Sequence, residues 1–172
     1  MITNFKDKYS KVSDSSFVAN SAEVIGDVEI GEFSSVWFNA VIRGDRSKIK
    51  IGNRTNIQDN VVIHSDPSDV VEIGDNVTIG HGAILHGCKI KNNVIIGMNA
   101  TVLDNAEIEE NSIVGANALV SSGKKFPAKS VILGVPGIIK RNVSDEDIKK
   151  IRDSSDIYVT LTKEYKLQND GK

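Results

Sequence analysis

An aliphatic residue at every sixth position constrains this chain more than any other feature. Val18, Val24, Ile30, Val36 and Ile42 are each six apart. The series resumes at Ile51, Ile57 and Ile63, again at Ile73, Ile79 and Leu85, and again at Ile90, Ile96, Val102, Ile108, Val114 and Val120. Of these 17 anchors only Leu85 is not β-branched, and 13 of the 16 intervals are six residues. Four residues past an anchor the side chain is small or short, as at Ala22, Ala40, Ala83, Ala100 and Ala118. Gly often follows the anchor directly, as at Gly31, Gly52, Gly74, Gly80, Gly97 and Gly115. Neither a helical period nor plain strand alternation keeps a strict six over this length. β-branched residues favour extended backbone, and Gly, Asn and Asp supply turns between short strands.

This pattern resembles the hexapeptide-repeat proteins, whose chain winds as a left-handed parallel β-helix with three hexads per coil. The resemblance covers roughly residues 12–140 and implies a mainly β fold of between five and six coils. Stacked coils, about 4.8 Å apart, bury the anchors and satisfy the backbone, which an isolated coil does not do. With an N-terminal lead-in, residues 1–140 form the β-helix domain and residues 141–172 a C-terminal α-helix packed on it. Ser144 and Asp147 form a capping box for that helix, and Ile148, Ile151, Tyr158 and Tyr165 mark its apolar face. Its last residues, QNDGK, are expected to fray.

Three intervals break the period. Ile42 to Ile51 has three extra residues and Ile63 to Ile73 has four, so RGDRSK and SDPSDVVE are expected to bulge out as loops; Leu85 to Ile90 is one short. Loops are where function concentrates.

The repeat also places the histidines. Taking every third hexad from Val24, the residue after each anchor forms a column reading Ile25, Arg43, His64, His86, Leu103, Ser121. His64 and His86 thus stack on successive coils, a spacing that suits two ligands of one ion. His81 lies two residues past Ile79, in a column reading Asn20, Phe38, Asp59, His81, Met98, Ala116, around the corner of the prism. It reaches the same kind of ion only from a neighbouring subunit. Two half-sites at different places on one chain imply a ring-closing interface, and a three-faced prism closes most naturally as a homotrimer. Three neutral imidazoles with an open fourth position are the catalytic form of zinc binding; iron and cobalt are the other ions to consider.

The segment RGD-x5-IGNRTNIQDNVVIH, then IGHGAILHGC, resembles the γ-class carbonic anhydrases, and GVPGIIKR with the C-terminal helix extends the likeness over nearly the whole chain. The resemblance implies an enzyme that hydrates CO2 reversibly to bicarbonate at zinc held between subunits of a trimer. His64 and His86 match the ligands of one subunit and His81 that of its neighbour. Gln58 and Asn56 match residues that orient the reacting oxygen. Arg43 and Asp59 match an ion pair that ties subunits together, Asp45 an acid in the same network, and Tyr158 a helix tyrosine that reaches the site. Two acids of the family pattern are missing: Arg46 stands where a glutamate follows Arg-x-Asp, and the loop after the first histidine is short, with Asp66 and Pro67. Proton release then falls to Asp66 or to buffer. The competing reading is a hexapeptide acyl- or acetyltransferase, with coenzyme A between subunits and a histidine as base.

Composition narrows the surroundings. The net charge is −2 with acids and bases interspersed, so no basic stripe points to nucleic acid. No apolar run is long enough for a membrane span, and one cysteine, Cys88, excludes an internal disulfide; a cytoplasmic protein is expected.

Overall fold

A computed structural model describes residues 1–170 of the chain; Gly171 and Lys172 lie outside the described residues. The chain winds as a parallel, left-handed β-solenoid of about 7 turns, closed on one side by a single C-terminal helix. Each turn contributes one short strand to each of three faces. Face one stacks Phe17–Val18, Ser35–Val36, Asn56–Ile57, Thr78–Ile79, Ile95–Ile96, Ile113–Val114 and Ser130–Leu133. Face two includes Val62–His64, Ile84–His86, Thr101–Val102 and Leu119–Val120, and face three Val71–Ile73, Lys89–Ile90, Glu107–Ile108 and Lys125–Phe126.

The anchors are in register from coil to coil: Ile42 pairs with Ile63, Ile63 with Leu85, and Leu85 with Val102. All four are fully buried. There are more coils than the sequence series implies, because the column runs on at both ends: Val12 lies six residues before Val18, and Phe126 and Ile132 continue the spacing after Val120, while only Ile2 falls outside it. Ile2 pairs with Val24 and Val12 with Ile30 at one end, and Phe126 pairs with Ile108 and Ile132 with Val114 at the other.

The corners have their own rule. The third residue after an anchor is repeatedly left-handed: Asn39, Asn60, Asn76, Asn93, Asn99, Asn105, Asn111 and Asn117 all have φ between 55° and 60°. Asn tolerates this conformation better than other side chains. Gly82 takes the same slot with φ of 70°, and a Cβ there would lie 2.3 Å from Asn99 Oδ1. Any larger residue beside His81 would have to displace the Asn99 side chain.

The expected RGDRSK loop does not form. Val41–Ile51 is one continuous strand that rounds the corner between faces two and three, paired with Glu23–Ile30. The extra residues are absorbed at a register shift between Gly26 and Val28, a bulge in which residues 45–48 have no register partner while the strand pairs on either side of it. Lys8 caps it, its ammonium donating to the carbonyls of Asp45 at 2.7 Å and Arg46 at 3.0 Å. The second insertion is a loop: residues 65–70 leave the strand before Val71–Ile73 resumes face three.

The helix α1, Asp145–Asp170, lies along face one. The capping box forms as expected, Asp147 N–H donating to Ser144 Oγ at 3.2 Å and Ser144 N–H to Asp147 Oδ2 at 2.9 Å. Tyr158 and Tyr165 pack edge-on against Trp37, with ring centroids 5.4 and 5.0 Å apart. The buried stripe also contains Ser155 and Thr162, so polar side chains form part of the packing face. α1 runs to Asp170; Gly171 and Lys172, the end of the segment expected to fray, lie outside the described residues.

The three faces differ outward. On face three the residue before each anchor reads Lys11, Glu29, Lys50, Glu72, Lys89, Glu107, Lys125, register partners alternating in sign along the whole prism. On face two the same position holds Glu23 at one end, then Val41, Val62, Ile84, Thr101 and Leu119; Val62 and Ile84 are 41% and 45% exposed. Face one is covered by α1, face three is charged, and the middle of face two carries an exposed apolar pair, Val62 and Ile84.

Candidate metal centre

His64 and His86 fall where the column places them, as register partners on adjacent coils of face two. Their rings approach with His64 Nδ1 and His86 Nε2 3.2 Å apart. Each ring gives its other nitrogen to a carboxylate. His64 Nε2 lies 3.1 Å from Asp45 Oδ1 on the coil below, and His86 Nδ1 bonds Asp104 Oδ1 on the coil above. Asp45, His64, His86 and Asp104 therefore make one stack over four successive coils.

A carboxylate holds a neutral imidazole by accepting its N–H, which fixes the tautomer. With the N–H of His64 on Nε2 and that of His86 on Nδ1, the nitrogens that face each other both present lone pairs. Such an arrangement is repulsive unless a cation stands between them. Two Zn–N bonds of about 2.0–2.1 Å at a tetrahedral angle put their nitrogens about 3.3 Å apart, close to the separation here. The donor set thus fits a borderline-soft ion such as zinc.

His81 lies around the corner, in the turn that follows Thr78–Ile79. Its Nδ1 is 2.8 Å from Asp59 Oδ2, and its side chain is half exposed. Among the described residues no hydrogen bond is made by its Nε2. Among the described residues no three His, Cys, Asp or Glu side chains of one chain are grouped to hold a metal.

Gln58 and Asn56 are buried side by side on face one. Gln58 Oε1 accepts the backbone N–H of His81 at 3.1 Å, and Gln58 Nε2 donates to Asn56 Oδ1 at 3.1 Å. Arg43 bonds Asp45 at 2.6 Å. Within one chain Arg43 is paired with Asp45 and Asp59 with His81, while the expected Arg43–Asp59 pair concerns two subunits. Burial would raise the Asp45 carboxyl, but hydrogen bonds from Arg43 and His64 outweigh it and hold it below the usual range. Tyr158 projects from α1 toward this corner; burial, then the negative charge of Asp59, push its phenol above the ordinary value, so it stays protonated at neutral pH. Cys88 is buried and its thiol is pushed up to about 12 by burial first and by Asp104 second, which makes it an inert packing group.

Asp104 is the site residue that sequence reasoning missed. It sits at a corner among Asn and Asp residues, where a turn role accounts for it equally well. Its only distinguishing signal is position: two residues past Val102, on the coil above His86.

The left-handed prism with a buried six-residue column defines the hexapeptide-repeat class. A family model described as bacterial transferase hexapeptide (six repeats) matches residues 87–122. A probable carbonic anhydrase of Methanocaldococcus jannaschii is 54% identical over 84% of this chain and 91% of that protein. The mitochondrial γ carbonic anhydrase 2 of Arabidopsis thaliana is 39% identical over 98% of this chain, which spans 63% of that longer protein. A crystal structure from Bacillus cereus, provisionally described as an acetyltransferase, superposes with a TM-score of 0.96 at 42% identity, covering 97% of each chain. The chain belongs to the γ carbonic anhydrase-like family of hexapeptide-repeat proteins.

Proposed function

We propose that this protein catalyses reversible hydration of CO2 to bicarbonate, with a zinc ion held between subunits of a homotrimer by His64 and His86 of one chain and His81 of the next. The observation that carries this reading is the pair of facing imidazole nitrogens at 3.2 Å, each ring held from behind by its own carboxylate. Zinc bound by three imidazoles lowers the pKa of its water to about 7 and supplies a nucleophile at neutral pH.

The chain's own residues supply the rest. Asp45 and Asp104 fix the tautomers of His64 and His86, and Asp59 does the same for His81. Gln58 uses one N–H of its amide on Asn56 and has a second to offer a reacting oxygen. Tyr158, protonated, is a further donor at that corner. Asp66 is exposed on the loop directly after His64 and can take the proton that the missing family glutamates would carry.

The trimer is supported by the outer faces. α1 covers face one and the charge ladder solvates face three. That leaves the apolar column of Val62 and Ile84, beside the histidine stack, to meet a neighbour. A cytoplasmic setting is in keeping with the single, unpaired Cys88. The acyltransferase reading needs a histidine with one nitrogen open to act as base; His64 and His86 turn their second nitrogens toward each other, which leaves only His81 for that role. Metal content of the purified protein, measured with stopped-flow CO2 hydration, tests the proposal. Stoichiometric zinc with hydration lost on chelation supports it, and a metal-free protein that acylates an acceptor overturns it.

A further inference from the structure

The polar contacts of Gln58 do not end at Asn56. Asn56 Nδ2 donates to Thr78 Oγ1 at 2.9 Å, and Thr78 Oγ1 lies 2.9 Å from Ser154 Oγ on α1. The result is a continuous chain from the helix to the metal corner: Ser154, Thr78, Asn56, Gln58 and the backbone N–H of His81. Asn56, Thr78 and Gln58 are all buried on face one.

The direction of the three bonds from His81 to Thr78 is forced from one end. The His81 amide can only donate, so Gln58 must present Oε1 to it and Nε2 to Asn56. Asn56 must then present Oδ1 to Gln58 and Nδ2 to Thr78. The Thr78 oxygen accepts from Asn56 and shares a hydrogen bond with the Ser154 hydroxyl, in which either oxygen can donate. A flipped Gln58 amide would set N–H against N–H at His81 and oxygen against oxygen at Asn56, unmaking two buried hydrogen bonds. The neighbouring residues of α1 lock the helix in this register. Ser155 Oγ donates to the carbonyl of Arg54 at 2.8 Å, and Asp156 pairs with the Arg54 guanidinium at 2.5 Å.

We infer that Thr78 and Ser154 are positioning residues for the reaction: through Asn56 they hold the Gln58 amide in the one orientation that turns an N–H donor toward the reacting oxygen. The C-terminal helix is thereby part of the active-site apparatus and not only a cover for face one. This inference rests on the proposed role of Gln58 in CO2 hydration.

The test uses the full-length zinc-loaded protein and compares Thr78→Val, Thr78→Ser, Ser154→Ala, Gln58→Ala and the double variant Thr78→Val/Gln58→Ala. Thr78→Val should lower kcat on the order of tenfold, as expected for one hydrogen bond's worth of misorientation. Thr78→Ser should restore it, and in the Gln58→Ala background Thr78→Val should cost nothing further. A second readout is independent of turnover. The His81 amide bonds the Gln58 side chain rather than a strand carbonyl, so its hydrogen exchange should accelerate about tenfold in Thr78→Val and stay slow in Thr78→Ser. Ser154→Ala leaves face one intact and should show the same two effects in weaker form if Thr78→Val proves unstable. An undiminished loss of kcat in the Gln58→Ala background, or unchanged His81 exchange in both Thr78→Val and Ser154→Ala, overturns the relay. Absence of CO2 hydration in the wild type overturns the assigned reaction instead, while His81 exchange still decides whether the relay holds Gln58.

Discussion

His64 and His86 are register partners on adjacent coils, and the carboxylate behind each ring comes from the opposite direction along the prism, Asp45 from the coil below and Asp104 from the coil above. The two imidazoles are therefore clamped from both ends with their free nitrogens turned toward each other. The coil-to-coil register makes the histidine pair possible, because the residue after each face-two anchor maps to one column on the surface.

The clamp makes a direct prediction for Asp104. Asp104→Asn keeps the side chain's size but removes the charge that holds His86 Nδ1–H. Zinc affinity, measured by chelator competition, should fall about 10–100-fold while the β-solenoid stays folded. Unchanged affinity would remove Asp104 from the site.

The apolar column on face two predicts the oligomer. Ile84 is half exposed and points away from the anchors. Ile84→Glu should turn a particle of three chains into single chains by light scattering, and zinc should be lost with the interface because His81 no longer reaches the histidine pair. A monomeric wild type that binds zinc with full affinity would contradict this.

Much of this was legible in the sequence, and the reasons are specific. The anchors predicted the fold because each inward position repeats the same requirement, a β-branched side chain in a narrow prism. The same arithmetic predicted the His64–His86 stack and the separation of His81. RGDRSK was misread as a loop because an insertion in a sequence carries no sign of whether the strand breaks or bulges; the partner strand Glu23–Ile30 decides that. Asp104 and Thr78 were silent because a corner Asp and a strand Thr look ordinary until the coil above or the helix is docked on them. The helix face was only half read, since Ser155 and Thr162 lie in its buried stripe and periodicity counts them as polar.

The ladder on face three predicts an electrostatic effect of modest size. Glu72 lies between Lys50 and Lys89 in the register. Glu72→Lys sets three like charges in a row and should destabilise the protein by about 0.5–1 kcal/mol in low salt. The loss should shrink in about 1 M salt, where the Debye length is about 3 Å. Denaturant midpoints at the two salt concentrations would show it, and an equal loss at both would mean that packing is responsible.

Acid should release the helix before it melts the solenoid. Hydrogen bonds from Arg141, then from Ser144, hold the Asp147 carboxyl well below the usual carboxylate range. A depressed carboxylate stabilises the folded state above its unfolded pKa of about 3.9. That contribution is progressively lost as pH falls below this value toward the lower folded pKa. Helical ellipticity at 222 nm should therefore decline below about pH 4. Asp147→Asn, already lacking the charge, should start from a weaker helix and show a flatter decline. A wild-type profile no steeper than that of the variant would contradict the capping role.

Subunit mixing tests the central claim most directly. His81→Ala and His64→Ala each remove a ligand from every interface of a homotrimer, and neither touches an anchor, so both should fold without stoichiometric zinc. Annealed together, they form heterotrimers in which some interfaces pair the intact His64 and His86 of one chain with the intact His81 of the other. The account predicts that zinc binding and CO2 hydration return in the mixture to a fraction of the wild-type level. No recovery, with subunit exchange demonstrated by differently tagged chains, would mean that the ligands of each ion come from a single chain, and the split site would be wrong.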